Sequence, residues 1–195
     1  MAIEYELKFR ATPEAIQQIL DAYPQGHTHF QMATTYYDTP SGALSARHYT
    51  LRQRMENDIS VCTLKTPAKE GGRQEIEIRC DHIEQAIPQM YQAGAPADLS
   101  SLLAEGIIPV CGAKFHRIAI LVELWDSTVE LALDQGILTG GERSMDLCEV
   151  EVEVKSGSRV TAILFARELS MDFGLVAEEH SKFRRAQALY KGESL

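Results

Sequence analysis

Glu4-Tyr5-Glu6-Leu7-Lys8-Phe9 places charged and apolar side chains in strict alternation near the N-terminus. With a period of two residues, Glu4, Glu6 and Lys8 share one face of a β-strand and the apolar side chains share the other. Alternating charge recurs in three further segments: residues 51–54, 73–79 and 148–154. A single strand of this kind is explained by a charged face that is exposed to solvent. The recurrence favours a closed sheet, whose charged faces line an interior while its apolar faces pack against helices.

Composition limits the classes of partner. The chain has 195 residues, which suits a single domain spanning residues 1–195. Its net charge of −9 disfavours nucleic-acid or membrane-surface binding, because such surfaces are usually basic. A local basic cluster inside an acidic protein still permits a small polyanionic ligand. Apolar runs such as Ile118 to Val122 are far too short to span a membrane.

The cysteines and the N-terminus indicate a cytoplasmic protein. No basic segment followed by an apolar run opens the chain, so we expect no secretory signal. Four scattered cysteines form no close pair of the zinc-ribbon or redox type: Cys62, Cys80, Cys111 and Cys148. We therefore expect reduced thiols in a cytoplasmic monomer or homodimer.

Capping and turn signals predict an α+β protein. Thr12 and Pro13 mark the start of a helix that runs to about Ala22. Strands are predicted at 26–38, 48–56, 59–66, 73–79, 108–117, 118–125, 128–134 and 147–155. Helices are predicted at 157–171 and 181–190, and two short ones within 82–105, which Pro88 and Gly94-Ala95-Pro96 interrupt. About eight strands in two groups favour an eight-stranded antiparallel β-barrel with helices outside over a parallel sheet.

Two sets of charged residues are candidates for a site. Same-face carboxylates two residues apart can converge on Mg²⁺ or Mn²⁺, which prefer oxygen ligands. The acidic candidates are Glu4, Glu6, Asp134, Glu149, Glu151 and Glu153, although a turn-capping role for Asp134 is equally open. The basic candidates, suited to phosphate oxygens, are Lys8, Arg52, Arg54, Lys65, Arg73, Arg117 and Lys182. For each one alone, a solvated face is the alternative. His27 and His29, two residues apart, are a further candidate metal pair, and no P-loop or GxGxxG motif is present.

The Glu4-x-Glu6-x-Lys8 motif resembles the signature of the CYTH superfamily, the triphosphate tunnel metalloenzymes. Matching blocks follow in order: Tyr36-Tyr37-Asp38-Thr39, Leu51-Arg52-x-Arg54, Leu64-Lys65, Arg73-x-Glu75-x-Glu77, Phe115-x-Arg117, Leu133-Asp134-x-Gly136, Glu149-x-Glu151-x-Glu153 and Ser181-Lys182-Phe183. The resemblance implies a barrel whose tunnel holds a triphosphate and a divalent metal ion, Mg²⁺ or Mn²⁺.

The resemblance also implies roles. The seven basic candidates would hold the phosphates, with Lys8, Arg54 and Lys65 as catalytic residues, and the six acidic ones would bind metal. The blocks at 131–136 and 148–157 look most like bacterial inorganic triphosphatases. Only three residues precede the first motif, whereas class IV adenylate cyclases usually carry a His-Phe pair there. Cyclisation of ATP, thiamine or nucleoside triphosphate hydrolysis, and polyphosphate binding without turnover remain alternatives. Lys69 and Lys155 lie outside these motifs and are predicted to be solvated.

Overall fold

A computed structural model describes residues 2–68 and 72–194, with the backbone alone for residues 2–4. The strands are β1 (Ala2–Glu4), β2 (Glu6–Arg10), β3 (His27–Asp38), β4 (Thr50–Glu56), β5 (Ile59–Pro67), β6 (Arg73–Arg79), β7 (Ile108–Glu123), β8 (Ser127–Gly140), β9 (Arg143–Gly157) and β10 (Val176–Ala177). The helices are α1 (Pro13–Ala22), α2 (Ala43–Ala46), α3 (Ile83–Gln92), α4 (Leu99–Leu102), α5 (Arg159–Asp172) and α6 (Lys182–Lys191). A 3-10 turn follows α4 at Leu103–Glu105.

The strands form one antiparallel sheet in the order β1-β6-β5-β4-β3-β7-β8-β9-β2-β10. Strand β1 pairs with β6 and strand β2 pairs with β9, and only Tyr5 separates β1 from β2 in the chain. The N-terminal segment therefore joins the two ends of the sheet. With β1 and β2 taken as one strand and the two-residue β10 left out, the ten strands reduce to eight, and the predicted α+β barrel is confirmed.

Helices α1, α3 and α5 cover the apolar outer face of the barrel, whereas α6 packs against cavity-lining residues such as Tyr36 and Phe115. Helix α1 begins as predicted, because the Thr12 hydroxyl accepts a hydrogen bond from the amide of Ala15 at 3.1 Å. Its buried Ile16 and Ile19 pack in one core cluster with Val150 of β9. Burying each of these side chains contributes roughly 1.5–3 kcal/mol, so the helix is held mainly by its apolar face. None of the helices in the described ranges is both long and apolar enough to cross a bilayer.

Pro88 does not interrupt its helix, contrary to the prediction. It lies within α3, and the helical region breaks only after Gln92. Pro88 is exposed, and the carbonyl that loses its partner belongs to Glu84, which is exposed as well, so water can satisfy it. The buried face of α3, which contains Ile83 and Met90, outweighs the local cost.

Strand boundaries in the second half also differ from prediction. The strands predicted at 108–117 and 118–125 are one continuous strand, β7, which ends at Glu123 and pairs with β3 on one side and β8 on the other. Strand β8 continues past the predicted turn near Asp134, so Asp134 lies within a strand and does not cap a turn. Gly136 permits this, because a Cβ at that position would collide with the backbone of Lys114 and Phe115.

Candidate functional site

The barrel encloses a cavity of about 1210 Å³. Charged side chains line it because alternate residues of each strand point inward. All seven predicted basic residues contribute to the lining: Lys8, Arg52, Arg54, Lys65, Arg73, Arg117 and Lys182. Of the predicted acidic residues, Glu6, Glu151 and Glu153 line it, whereas Asp134 and Glu149 do not. The side chain of Glu4 and all of Lys69 lie outside the described residues, so their predicted roles stay predictions.

Two guanidinium groups lie side by side on β4. Arg52 Nη2 lies 3.5 Å from Glu75 Oε1, and Arg54 Nη2 lies 3.7 Å from Glu77 Oε1. Arg54 also pairs with Glu56. Burial and the adjacent positive charge of Arg52 lower the pKa of Arg54, although Glu56 opposes the shift.

Arg54 also has a hydrogen-bond donor without an acceptor in the described ranges. Its Nε is buried and makes no hydrogen bond to any residue in the described part of the chain. A buried donor that lacks an acceptor is costly. Together with the lowered pKa, it indicates that an anion in the cavity would stabilise this guanidinium.

Lys65 and Arg73 extend the basic surface along neighbouring strands. Lys65 Nζ lies 3.3 Å from Glu75 Oε1. Arg73 Nη2 donates to the carbonyls of His48 and Lys65 at 2.8 and 3.1 Å, which fixes its guanidinium at the edge of the sheet. Sequence reasoning assigned no role to Glu75 and Glu77, although their alternation on β6 places both inward.

The deepest acidic groups converge on Lys182. Asp134, Glu149 and Glu151 bring carboxylate oxygens within 4.8 Å of one another, close enough to share an ion. Lys182 Nζ lies 2.8 Å from Asp134 Oδ2 and 2.7 Å from Glu151 Oε1, and it also donates to Glu149. Asp134 and Glu149 are 0% exposed. The position at which these carboxylates converge is therefore taken by an ammonium group of the chain itself.

Two guanidinium groups complete this network. Arg117 donates to both Asp134 oxygens at 2.7 Å and to Glu151 at 2.5 Å, and Arg185 pairs with Glu149. Sequence reasoning missed Arg185. Its spacing of three residues from Lys182 within α6 places both on one helix face, and that spacing was the available signal. Three cationic and three acidic side chains thus balance in a nearly dry cluster, called here the α6 ion cluster (Arg117, Asp134, Glu149, Glu151, Lys182, Arg185).

Proton affinities in the α6 ion cluster diverge. Burial raises the pKa of Glu149 to about 7, although Lys182 and Arg185 favour its ionised form. Burial opposes ionisation of Glu151 as well, but Lys182 and Arg117 outweigh it and hold its pKa well below the ordinary value. Lys182 and Arg117 have raised pKa values, because their carboxylate neighbours outweigh burial. Both cations are therefore charged at every ordinary pH.

Stability should depend on pH through Glu149. Its pKa in the folded state lies above the value of about 4.5 for an ordinary carboxyl, so the native state holds the proton more tightly. This stabilisation is complete below that ordinary value and is lost as the pH rises through 7. Between about pH 5 and pH 8, the free energy of unfolding should fall more steeply for the wild type than for Glu149→Gln, as measured with denaturant. Parallel curves would contradict the assignment.

A row of three carboxylates crosses β2, β9 and β8 on the inner face. Glu6 lies opposite Glu153, and Glu153 lies opposite Glu130. Side chains so paired have Cβ atoms about 4.5–5.5 Å apart, although the only three carboxylates among the described residues whose oxygens lie within 4.8 Å of one another are those of Asp134, Glu149 and Glu151. Sequence reasoning missed Glu130. The carboxylates of this row and Glu151 line the cavity, where an ion could reach them, whereas Asp134 and Glu149 are fully buried.

Two lysines accompany the carboxylate row. Lys8 Nζ lies 3.2 Å from Glu6 Oε1, and Lys155 Nζ lies 3.1 Å from Glu153 Oε1 and 3.7 Å from Glu130 Oε2. Lys155 is exposed, as predicted, but it also lines the cavity beside these carboxylates, so it is not a suitable control for activity. The alternation that placed Glu153 inward extends one step further to Lys155.

Sequence comparison connects this geometry to known proteins. The family model described as the CYTH domain matches residues 2–186. The inorganic triphosphatase of Haemophilus influenzae is 29% identical over 195 residues, an alignment that covers 97% of this chain and 55% of that protein. The chain thus spans little more than half the length of this curated relative.

Solved structures share the fold. A Hippeastrum protein of the adenylyl cyclase type, described as having a dominant triphosphatase activity, superposes with a TM-score of 0.60 at 23% identity, covering 100% of this chain and 98% of that one. A Bacillus halodurans protein assigned as an adenylate cyclase gives a TM-score of 0.63 at 18% identity, with 94% and 96% covered. The family match covers almost the whole chain, and its charged strands line one barrel. The chain therefore belongs to the CYTH domain family.

Proposed function

We propose that this protein is a divalent-metal-dependent hydrolase that cleaves inorganic triphosphate to pyrophosphate and phosphate inside its barrel. The observation that carries the proposal is the state of the Arg54 guanidinium. It is buried in the cavity beside other cations, its pKa is lowered and its Nε has no hydrogen-bond partner among the described residues. A polyanion is the ligand that relieves both costs. The Haemophilus influenzae relative supports triphosphate as that polyanion.

The basic residues divide into two groups in this proposal. Lys8, Arg52, Arg54, Lys65 and Arg73 line the cavity and bind the phosphate oxygens. Arg117 and Lys182 are already engaged by carboxylates of the α6 ion cluster, so they act mainly through the positive potential at its cavity side. Arg54 and Lys65, on neighbouring strands, stabilise the charge that develops as the terminal phosphoryl group is displaced in line by water. With Lys8 they are the proposed catalytic residues.

The proposed metal ligands are the predicted carboxylates that face the cavity, Glu6, Glu151 and Glu153, together with Glu4 and with Glu130 of the carboxylate row. Such an ion, Mg²⁺ or Mn²⁺, supplies Lewis-acid stabilisation and an activated water when bound. Without a bound cation, these carboxylates repel the polyanion. Substrate binding therefore depends on the ion that neutralises them. Asp134 and Glu149 instead hold Lys182 in place.

Phosphate release tests the activity directly. Purified protein should convert tripolyphosphate to equal amounts of pyrophosphate and phosphate with Mg²⁺ or Mn²⁺, and should stop when the metal is chelated. Absence of product under all metal conditions would overturn the enzyme proposal. Calorimetry would then ask whether tripolyphosphate binds without turnover, as a polyphosphate-binding module would.

Product analysis with ATP separates the rival activities. Cyclic AMP with pyrophosphate would indicate cyclisation, and ADP with phosphate would indicate nucleotide hydrolysis. The Hippeastrum and Bacillus halodurans structures make the cyclase the comparison to include, although their identity to this chain supports the fold alone. We expect ATP turnover to be much slower than tripolyphosphate turnover.

Glu6→Gln should weaken metal binding while leaving the fold intact. The substitution removes one anionic oxygen donor from the carboxylate row, and we expect the Mn²⁺ concentration for half-saturation to rise at least about tenfold. Binding is measured by electron paramagnetic resonance of free Mn²⁺, alongside the activity. Glu84→Gln, at an exposed position on α3, is the matched control. Unchanged Mn²⁺ affinity in Glu6→Gln would remove Glu6 from the metal set.

We also propose a cytoplasmic location, which the four free cysteines support. A monomer or homodimer stays the predicted state of assembly, and sedimentation of the purified chain measures it.

A further inference from the structure

A pair of histidines lies on the outside of the barrel. His29 Nδ1 lies 3.1 Å from His116 Nε2, and the two rings stack with centroids 5.1 Å apart. His29 is on β3 and His116 is on β7, and the two strands pair so that Gln31 lies opposite His116. Neighbouring residues on both strands, Phe30 and Arg117, line the cavity, so the two imidazoles point away from it.

The distance between the two nitrogens is close to the distance between two ligand atoms bound to one metal ion. Two imidazole nitrogens bound tetrahedrally to one ion at about 2.0–2.1 Å lie about 3.3 Å from each other. The present 3.1 Å contact requires one nitrogen to donate a proton and the other to accept it. A cation that takes the place of this proton needs only a small movement of the two side chains, of which His29 is exposed and His116 half-buried.

We propose that His29 and His116 form a binding site for a borderline transition-metal ion such as Zn²⁺ or Cu²⁺. Imidazole nitrogen is a preferred ligand of these ions, whereas Mg²⁺ and Mn²⁺ prefer the carboxylate oxygens inside the barrel. Water completes the coordination, because His29 is exposed. The site is separate from the cavity and holds whatever the outcome for triphosphate hydrolysis.

The site differs from the one that spacing along the chain indicates. His27 and His29 are two residues apart on one strand face, but their ring centroids are 6.3 Å apart. His27 Nε2 lies 2.5 Å from the carbonyl oxygen of Tyr23, the residue that caps α1. His27 is therefore held by the helix end, and His29 finds its partner across the sheet.

Calorimetric titration with Zn²⁺ in excess Mg²⁺ tests the site, because the Mg²⁺ competes for the carboxylates of the cavity. The wild type should bind one Zn²⁺ that His29→Ala and His116→Ala each bind at least about tenfold more weakly. His27→Ala, on the same strand face, and His82→Ala, an exposed histidine elsewhere, should match the wild type. His29→Asn and His116→Asn provide a second pair of variants.

Paramagnetic resonance of bound Cu²⁺ gives an independent readout. The wild-type spectrum should carry hyperfine structure from two nitrogen donors, and each single variant should retain one. The proposal is overturned if His29→Ala titrates like the wild type. It is equally overturned if His27→Ala loses the ion as completely as His29→Ala does, since that result assigns the site to the pair on β3.

Discussion

Arg54→Ala should lower kcat/KM for tripolyphosphate by about 30- to 900-fold, equivalent to about 2–4 kcal/mol of transition-state stabilisation. The guanidinium lies in the cavity beside Arg52, where burial strengthens its interaction with phosphate oxygens. Because its charge matters most as negative charge accumulates on the displaced oxygen, kcat should fall more than KM rises. Phosphate release at saturating and limiting substrate separates the two constants.

Two controls make the Arg54 result specific. Arg167→Ala removes a guanidinium from the exposed face of α5 and should leave kcat/KM unchanged. Arg54→Ala also leaves Glu56 without its partner, so the double variant Arg54→Ala/Glu56→Ala shows whether an unpaired carboxylate contributes to the loss. Near-wild-type rates in Arg54→Ala would mean that the inner face of β4 does not bind substrate.

Lys182→Met should lower the free energy of unfolding by about 3–5 kcal/mol. The substitution preserves much of the side-chain volume but removes the cation shared by Asp134, Glu149 and Glu151. Three acidic groups then have only Arg117 and Arg185 as partners in a nearly dry site. Chemical denaturation followed by circular dichroism measures the difference.

Lys155→Met is the matched comparison for Lys182→Met. Lys155 also bridges two carboxylates, Glu130 and Glu153, but its side chain is 38% exposed. Water screens such a pair, and we expect a loss of no more than about 1 kcal/mol. Similar losses in the two variants would show that burial of the α6 ion cluster does not determine its contribution.

Much of the fold follows from local pattern. Alternation placed the charged faces of β2, β4, β6 and β9 correctly, and the Thr12-Pro13 signal located α1. The sequence pattern did not predict that β7 is continuous. Pairing with β3 and β8 along its length stabilises the strand, and local propensity does not include those neighbours. The predicted helix break at Pro88 was wrong for a related reason. Whether water can reach the Glu84 carbonyl depends on tertiary packing, which the local sequence does not determine. The assignment of residues 1–195 to one domain remains a prediction.

The sequence predicts which face of its strand each site residue occupies, but not how deeply the side chain is buried. Glu149, Glu151 and Glu153 follow one alternating pattern on β9, yet the first is fully buried and the last lines the cavity. The difference arises because Lys182 and Arg185 of α6 cover one end of the row, and no local feature of β9 encodes that contact. Glu130 lies an even number of residues from Asp134, and Lys155 from Glu153, so alternation along β8 and β9 predicts an inward position for both.

Closure of the barrel by its first residues has a consequence for the order of folding. Residues 6–10 find their strand partner at 149–153, and residues 2–4 find theirs at 73–75. Pairs of such large sequence separation carry a high loop-closure cost, so we expect hairpins such as β4 with β5 and β8 with β9 to form before residues 2–10 join the two ends of the sheet. We therefore expect the charged interior to stay open to water until that last pairing closes the barrel.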